Sequence, residues 1–351
     1  MRSPRSLAAL GQFALLTVAL LAGPAQAKLE ALADSELSNV TGQAFINLTT
    51  DANAGINYTR VNLGVNLDTQ LNMKKLQLGQ YNDATTRPGE VAGSSDILIN
   101  NFALGTVNAD DSINAFKIAN PFIELAYEGN KVIGVRIGFG EAKGTLSGDI
   151  ASLTGNVPVH IKGTGDAIYD VANIFQQGIL AVGGISRNSV LEADAQLVNS
   201  SGASDPIRGT QAGIKNGDGL TCTANCGLLT GPALDIIKSS GCGLLGIQTC
   251  FNLDQFKSLP VGNMGVVDNA STAAIEGATK GFFISLQTKD VAWRDLDSNT
   301  FMTALKGAFM NMPKYKDANG NLVSPINIDF NQAFNGIPRQ DTCLGAATSG
   351  C

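Results

Sequence analysis

VIGVRIGFG (132–140) is the stretch that decides the fold, because its side chains alternate with a period of two. In an extended strand one side would carry the aliphatic and aromatic residues and the other would carry glycines and an arginine, in the order Ile133, Val135, Ile137 and Phe139 against Gly134, Arg136 and Gly138. Such alternation predicts a strand with an apolar face turned to a core and a polar face turned to water. Antiparallel sheets allow this arrangement and parallel sheets rarely do.

The same period recurs in VNLGVNLD (61–68), DILINNFALG (96–105), VPVHI (157–161) and FISL (283–286). Clusters of turn-forming residues such as YNDATTRPGE and VNADDS separate these runs. The sequence therefore predicts a mainly β fold. We expect a large antiparallel sheet, or a sandwich or curved groove, with two or three short packing helices and a disulfide-stapled insertion.

Three segments show helical spacing of apolar residues. A short helix is predicted near 33–41, just before a strand that starts in AFINLT. A second is predicted over 167–180, and a third within NTFMTALKGAFMNMP (299–313), which ends at Pro313. The stripes that suggest the last two are Ile168, Val171, Ala172, Phe175 and Ile179, and Phe301, Leu305, Phe309 and Met312.

The N-terminus has the three parts of a secretory signal peptide. Arg2 and Arg5 precede an apolar run over 7–21, and Ala25-Gln26-Ala27 forms a small-x-small site, so cleavage is expected after Ala27. A membrane anchor is less favoured, because polar and helix-breaking residues interrupt the run. We expect a signal peptide at 1–27, a β-rich part at 28–199 and a Gly-, Ser- and Cys-rich insertion at 200–260. Residues 261–351 should complete the same β domain.

The segment ADSELSNVTGQA (33–44) follows this signal. It is similar to the post-signal segment of exported Gram-negative proteins of the FilF-type pilus-system family. The resemblance implies a cell-envelope or surface location and transfers no functional residue. ELSNVTG also resembles the end of a double-glycine leader peptide, but Gln43 replaces the second glycine. We therefore favour the interpretation that this segment is the first packed element of the mature domain.

Six cysteines lie late in the chain, at Cys222, Cys226, Cys242, Cys250, Cys343 and Cys351. Export makes disulfides the expected state, although six thiols allow 15 connectivities. We expect local pairs within CTANC, CGLLGIQTC and CLGAATSGC. Zinc is disfavoured because no second close cysteine pair and no nearby histidine would complete a tetrahedral site.

Few residues are candidates for chemistry. His160 is the only histidine; it should lie on the polar face of a strand, and no G-x-S-x-G elbow accompanies it. Asp317, Asn319 and Asn321 have calcium-loop spacing but lack the later glycine and glutamate, so a hairpin turn is the simpler interpretation. Trp293, the only tryptophan, is expected in a core.

The composition of the chain limits the classes of function that it can have. The formal net charge is −6, which disfavours nucleic acid as a partner. With no catalytic constellation and no cofactor motif, we expect a non-enzymatic structural or interaction protein of the cell envelope, with a pilus assembly as one candidate neighbour. The expected locations are the periplasm, the outer-membrane surface and the exterior of the cell. Its partner would be another envelope or surface protein, and peripheral membrane contact is compatible with these features. The alternative is a binding protein for an apolar ligand, such as an acyl chain, hydrocarbon or lipid, held in a β-sheet groove.

Overall fold

A computed structural model describes residues 46–80, 94–227, 238–269, 272 and 274–344. The fold is mainly β, as predicted. Its described helices are short: α1 Asp166–Val171, α2 Ile174–Val182, α3 Phe330–Asn335, and a 3-10 turn at Leu253–Gln255.

The strands of the first half are β1 Ile46–Asn53, β2 Ile56–Leu63, β3 Asn66–Thr69, β4 Leu71–Gln80, β5 Ser95–Leu104, β6 Thr106–Val107, β7 Ile113–Asn114, β8 Phe116–Glu128, β9 Lys131–Leu153, β10 Gly155–Asn156, β11 Val159–Thr164 and β12 Val190–Val198. Those of the second half are β13 Gln211–Gly213, β14 Thr221–Ala224, β15 Gly243–Leu244, β16 Ile247–Gln248, β17 Cys250–Asn252, β18 Ser258–Val261, β19 Thr279–Lys280, β20 Phe283–Gln287, β21 Val291–Arg294, β22 Phe301–Ala304, β23 Gly307–Asn311, β24 Tyr315–Lys316, β25 Leu322–Val323 and β26 Ile326–Ile328.

Two sheets contain most of these strands. The main sheet has 12 strands and runs β1-β2-β8-β9-β20-β23-β10, with β3, β5, β18 and β19 paired alongside β8 or β9, and β4 paired with β5. The second sheet has six strands in the order β17-β13-β12-β11-β26, with β14 paired to β12. Pairing is antiparallel except for β10 with β23 and β11 with β26, so the sheets are mixed.

The 23-residue strand β9 is the centre of the main sheet. It pairs with β8 and β20 along its first half, with β19 near its middle, and with β5 and β18 along its second half. Small residues recur on one of its sides, at Gly134, Gly138, Gly140, Ala142, Gly144 and Gly148. This leaves room for the rings of neighbouring strands, which cover the glycine backbone.

Two apolar clusters form the core. The larger one joins side chains of the main sheet, such as Ile99 and Leu146, to those of the second sheet, such as Ile161 and Leu191. The smaller one forms where the hairpin β21–β22 packs on β2, β8, β9 and β20, around Trp293.

A buried ion pair and a backbone hydrogen bond link two distant segments to β5. Asp96, fully buried in β5, accepts from Arg208 Nε at 3.0 Å and from the Ala308 backbone N–H at 2.8 Å. The backbone N–H of Arg208 in turn donates to Thr154 Oγ1 at 2.8 Å. The loop after β12 and the strand β23 are thereby attached to one carboxylate.

The helix predicted within 299–313 is wrong. The segment forms β22 and β23, and Gly307, with φ at 103°, marks the turn between them. The spacing of Phe301, Leu305 and Phe309 looked helical because two strands with different partners follow each other there. Strand β22 pairs with β21, whereas β23 pairs with β20, so the period of two is interrupted between the two strands.

The helix predicted over 167–180 is two helices. Helix α1 ends at Val171, Ala172 is extended, and Asn173 caps α2 with a reciprocal capping box to Gln176. Phe175, placed on the apolar stripe by the prediction, is exposed, whereas Gln176 and Leu180 are buried. The predicted helix at 33–41 lies outside the described residues.

The local disulfide pairs are confirmed at Cys222–Cys226 and Cys242–Cys250. Cys343 is also disulfide-bonded, while its expected partner Cys351 lies outside the described residues. Cys250 belongs to β17, so the second bridge ties the segment around Cys242 to a strand of the second sheet. Disulfides indicate an oxidising compartment outside the cytoplasm. Within the described part of the chain, no helix is long and apolar enough to span a membrane.

Replacing Gly138 by alanine should destabilise the fold by about 1–3 kcal/mol, because the new methyl group would overlap the ring of Phe122 and lie 2.8 Å from the Phe282 carbonyl oxygen. Urea unfolding measures the change. Gly178→Ala is the matched control: nothing lies within 4 Å of that position in α2, so this variant should be neutral or up to about 1 kcal/mol more stable. Equal stability of both variants would contradict the close packing at Gly138.

Candidate functional site

The inner side of β9 holds a buried ion pair. Arg136 and Glu124 lie opposite each other on β9 and β8, and Arg136 Nε donates to Glu124 Oε2. Only 1% of the Arg136 surface is exposed. Burial lowers the pKa of Arg136, and the charge of Glu124 counteracts this. A charge so far from water is retained only with a partner of opposite sign.

Aromatic rings complete the environment of this guanidinium. Its central carbon lies 4.9 Å from the ring centre of Phe283, 5.0 Å from that of Trp293 and 5.2 Å from that of Phe122. These cation–π contacts stabilise the charge of the guanidinium, whose nitrogen Nη2 has no hydrogen-bond partner among the described residues. Burial also raises the pKa of the adjacent Tyr58 to about 12, and its hydroxyl donates to the Ala292 carbonyl. Trp293 is fully buried, as predicted.

The ion pair reverses the expected orientation in the middle of 132–140. From Gly134 to Gly138 the buried side is that of Gly134, Arg136 and Gly138, and Ile137, which was predicted to point inward, is 56% exposed. At the two ends the prediction fares better, because Ile133 is buried and Phe139 is half-buried. The prediction was wrong because neighbouring strands supply the bulk of this core. Phe122 and Phe283 both lie opposite Gly138, so small residues on β9 are required beneath them. The recurring glycines were the signal that could have revealed this.

The outer side of the same strands is a row of aliphatic side chains. In register from the edge of the sheet inward, residues that lie opposite each other on β1, β2, β8, β9 and β20 are Leu48, Val61, Ile123, Ile137 and Ile284. The adjacent row reads Thr50, Thr59, Leu125, Val135 and Leu286. We call the side chains of these two rows the aliphatic face.

The aliphatic face is open to solvent. Leu48 is 63% exposed, Ile123 48% and Leu286 41%. Neither row contains a charged residue, and five strands at the usual spacing make the face about 20 Å wide. Contiguous exposed apolar surface of this kind marks interaction sites in soluble proteins. Beyond Ile284 the first row continues into Met310, which is buried in the larger core cluster.

Two apolar cavities inside the described part of the fold are small. A cavity of about 40 Å³ between the sheets is lined only by apolar side chains, among them Ile150, Val159 and Phe256. A second apolar cavity of about 20 Å³ lies beside Ile168 and Leu220. One water molecule needs about 10–15 Å³ of such cavity space, so the two cavities have room for a few water molecules and not for an acyl chain.

A wider cleft of about 550 Å³ lies further along β8 and β9. Lys117 and Lys143 lie opposite each other there, a repulsive arrangement that Asp268 bridges. Lys143 Nζ also donates to the carbonyls of Val266 at 2.6 Å and Glu276 at 2.7 Å. All three of its donors are thus used to hold the 262–278 loop, so the cluster is a structural clamp.

His160 lies on β11, partly exposed, as expected for the polar face of a strand. Its Nδ1 is 3.1 Å from Asp194 Oδ1, and its Nε2 is 3.7 Å from Glu192 Oε2. Lys314 and Lys162 pair with the same two carboxylates. The result is a row of ion pairs and polar contacts on the surface of the second sheet, with no cysteine or serine bonded to His160 among the contacts described.

The calcium candidate forms a turn. Asp317 accepts from the backbone N–H groups of Asn319 at 2.9 Å and Asn321 at 2.8 Å, and Gly320 has φ of 82°. These bonds from backbone donors also lower the pKa of Asp317. The turn joins β24 to β25, so its carboxylate already serves the hairpin. In the described parts of the chain, no group of three or more His, Cys, Asp or Glu residues is placed to hold a metal ion.

Comparison with protein families gives one match: a model described as a family of unknown function, DUF6160, covers residues 7–120. The matched span includes Leu48 and Val61 and ends within β8, before Ile123 and Ile137. No curated protein and no solved structure matches the chain.

Glu124→Gln should destabilise the protein by about 3–5 kcal/mol, because it leaves the charge of Arg136 buried without a counter-charge. Urea unfolding at neutral pH measures the loss. The double variant Glu124→Leu with Arg136→Met, which removes both charges, should recover most of the stability. If Glu124→Gln were as stable as the wild type, the Arg136–Glu124 ion pair would not be what keeps this side of β8 and β9 buried.

Acid should weaken the clamp at the cleft. Burial acts to raise the pKa of Asp268, but hydrogen bonds from Lys117 and Lys143 outweigh it and the pKa falls below its ordinary value of 3.8. A carboxyl whose pKa is lower in the folded state stabilises fully above the unfolded value and loses this contribution as the pH falls through the folded value. The difference in unfolding free energy between wild type and Asp268→Asn should therefore be constant above about pH 5 and shrink below about pH 4. A difference that does not vary with pH would exclude Asp268 as the titrating group.

Proposed function

We propose that this chain is an exported cell-envelope protein that acts by interaction and not by catalysis, and that it docks onto another envelope protein through the aliphatic face. The observation that carries the proposal is the in-register row from Leu48 to Ile284, which contains no charged residue and is exposed at Leu48, Ile123 and Ile137. Burying exposed aliphatic surface stabilises a complex by about 25 cal/mol per Å² before the costs of association.

Export is supported by the signal-peptide pattern ahead of Ala27 and by the disulfides. The resemblance of 33–44 to the FilF-type family supports a place at the cell surface or beside a pilus. Neither feature identifies the partner. Both are consistent with a protein whose working surface is a sheet face.

The charge of the chain favours a protein partner over an anionic membrane surface. A formal charge of −6 repels phosphate headgroups, whereas it has little effect on an uncharged protein surface. A face about 20 Å wide and two rows deep is smaller than the roughly 800 Å² per partner of a standard interface, so it would form the apolar centre of a larger contact.

Binding of an apolar small molecule has weaker support. The groove that this alternative requires would lie between the sheets, where the cavities measure about 40 and 20 Å³. An acyl chain or hydrocarbon would therefore have to lie on the open aliphatic face.

A photo-crosslinking side chain at Ile137 tests the proposal in cells that export the full chain. We expect one discrete protein adduct, with the recovered chain beginning at Lys28 after signal cleavage. Ile123→Lys, which places a charge directly opposite Ile137, should reduce the adduct at least about tenfold, since an unpaired charge in an apolar interface is costly.

The matched control is the same crosslinker at Leu322, an equally apolar and exposed residue that lies on β25. Equal adducts at Ile137 and Leu322 would indicate non-specific contact and contradict the proposal. An adduct with lipid only would favour the apolar-ligand alternative, and retention of an unprocessed chain in the cytosol would exclude both.

A further inference from the structure

In the part of the chain that the structure describes, strand β1 is an edge strand of the main sheet, and it lacks the lysines, prolines and bulges that usually protect such edges. Among the described residues, β1 pairs only with β2, residue for residue from Ile46 opposite Leu63 to Asn53 opposite Ile56, without a bulge. Its sequence, INLTTDAN, contains no lysine, arginine or proline. We infer that this edge of β1 pairs antiparallel with β1 of a second copy of the same chain, forming a two-fold symmetric dimer with a continuous sheet.

The other long edge strand of this sheet shows what protection looks like. Strand β4 pairs with β5 and carries Lys74 and Lys75, both exposed, next to an irregular pairing at Asn101, whose φ is 50°. Charged side chains and bulges are the common means of preventing edge-to-edge association. The described edge strands of the second sheet, β14, β17 and β26, have only three or four residues each. Strand β1 is long, regular and without positive charge.

The strand is also held in place for pairing. On its inner side Asp51 pairs with Arg294, whose Nη2 donates to Asp51 Oδ1 at 3.0 Å. Thr49 Oγ1 accepts from Arg60 Nε at 3.3 Å. These contacts fix β1 on the hairpin β21–β22 and on β2, so little ordering remains to be done when a further strand adds to it.

The faces of the strand determine how a second copy fits. Residues opposite each other in an antiparallel pair share a face. The two-fold axis must therefore lie where one residue is directly opposite its own copy, and not where two successive residues are opposite each other. With the axis at Thr49, the segment from Ile46 to Ala52 pairs with the same segment of the second copy. Leu48 then lies opposite Thr50 of that copy. Each Asp51 lies opposite Asn47, so the two Asp51 carboxylates stay apart. Backbone hydrogen bonds along the edge supply the attraction.

The dimer joins two aliphatic faces side by side on one surface. The row from Ile284 to Leu48 then continues into the row of the second copy, across ten strands. Because no charge lies in either row, the juxtaposition creates no repulsion. This inference concerns the edge of the sheet and does not depend on the partner proposed for its face.

Sedimentation of the exported, disulfide-bonded chain over a range of concentrations tests the dimer. We expect a reversible monomer–dimer equilibrium. Leu48→Lys with Thr50→Lys should weaken dimerisation at least about tenfold, because any register with the correct faces brings lysines of both copies together at the edge.

The matched control is Val61→Lys with Thr59→Lys, which adds the same charges to the same two rows one strand further in. It should leave dimerisation within about threefold of wild type, since β2 does not contact the second copy. Equal loss in both variants would overturn edge pairing and indicate packing through the face. A wild-type chain that stays monomeric at every concentration, or that sediments only with a foreign protein, would also overturn it.

Hydrogen exchange of the unmodified chain provides a test that does not depend on the folding of a variant. Backbone amides within Ile46–Asn53 should exchange more slowly as concentration rises, while those of β4 should not change. Exchange in β1 that is independent of concentration would contradict the inference.

Discussion

The pairing of one strand, Lys131–Leu153, is the constraint on which the structure depends. It has neighbours on both sides along nearly its whole length, from β8 and β20 to β5 and β18. Because successive side chains of a strand point to opposite sides, its sequence determines the inner and outer surface of five adjoining strands at once. Small residues on its inner side make room for Phe122, Phe283 and Trp293, and these rings enclose Arg136.

Enclosing Arg136 has a consequence for the other side. With a charged residue and glycines turned inward, the aliphatic residues Val135 and Ile137 must point outward, together with Ile123 and Leu125 of β8. A one-residue shift of the strand would bury them, but it would also expose the rings and separate Arg136 from Glu124. The fold therefore keeps an aliphatic surface in water, which is unfavourable for an isolated molecule and favourable for one that associates.

Much of the fold could be predicted from the sequence, because period-two patterns in 96–105, 157–161 and 283–286 correspond to real strands. The local disulfides at Cys222–Cys226 and Cys242–Cys250 could be predicted because short spacing favours closure of small loops. What failed was the side of the sheet: periodicity shows that two faces differ, but the identity of the buried face depends on Phe122 and Phe283, which lie on other strands. The segment 299–313 failed for a related reason, because its two strands pair with different neighbours, β21 and β20.

The carboxylate of Asp96 is bonded at once by Arg208 and by the backbone of Ala308, which lie more than a hundred residues further along the chain. A charge of this kind is costly to bury until both donors have arrived, so the sheet cannot close in stages that leave one of them behind. Burial of Asp96 in the first half of the chain therefore depends on groups supplied by the second half. A fragment made by cutting the chain between β5 and Arg208 would contain Asp96 without either donor, and burying that carboxylate in the fragment alone would be costly.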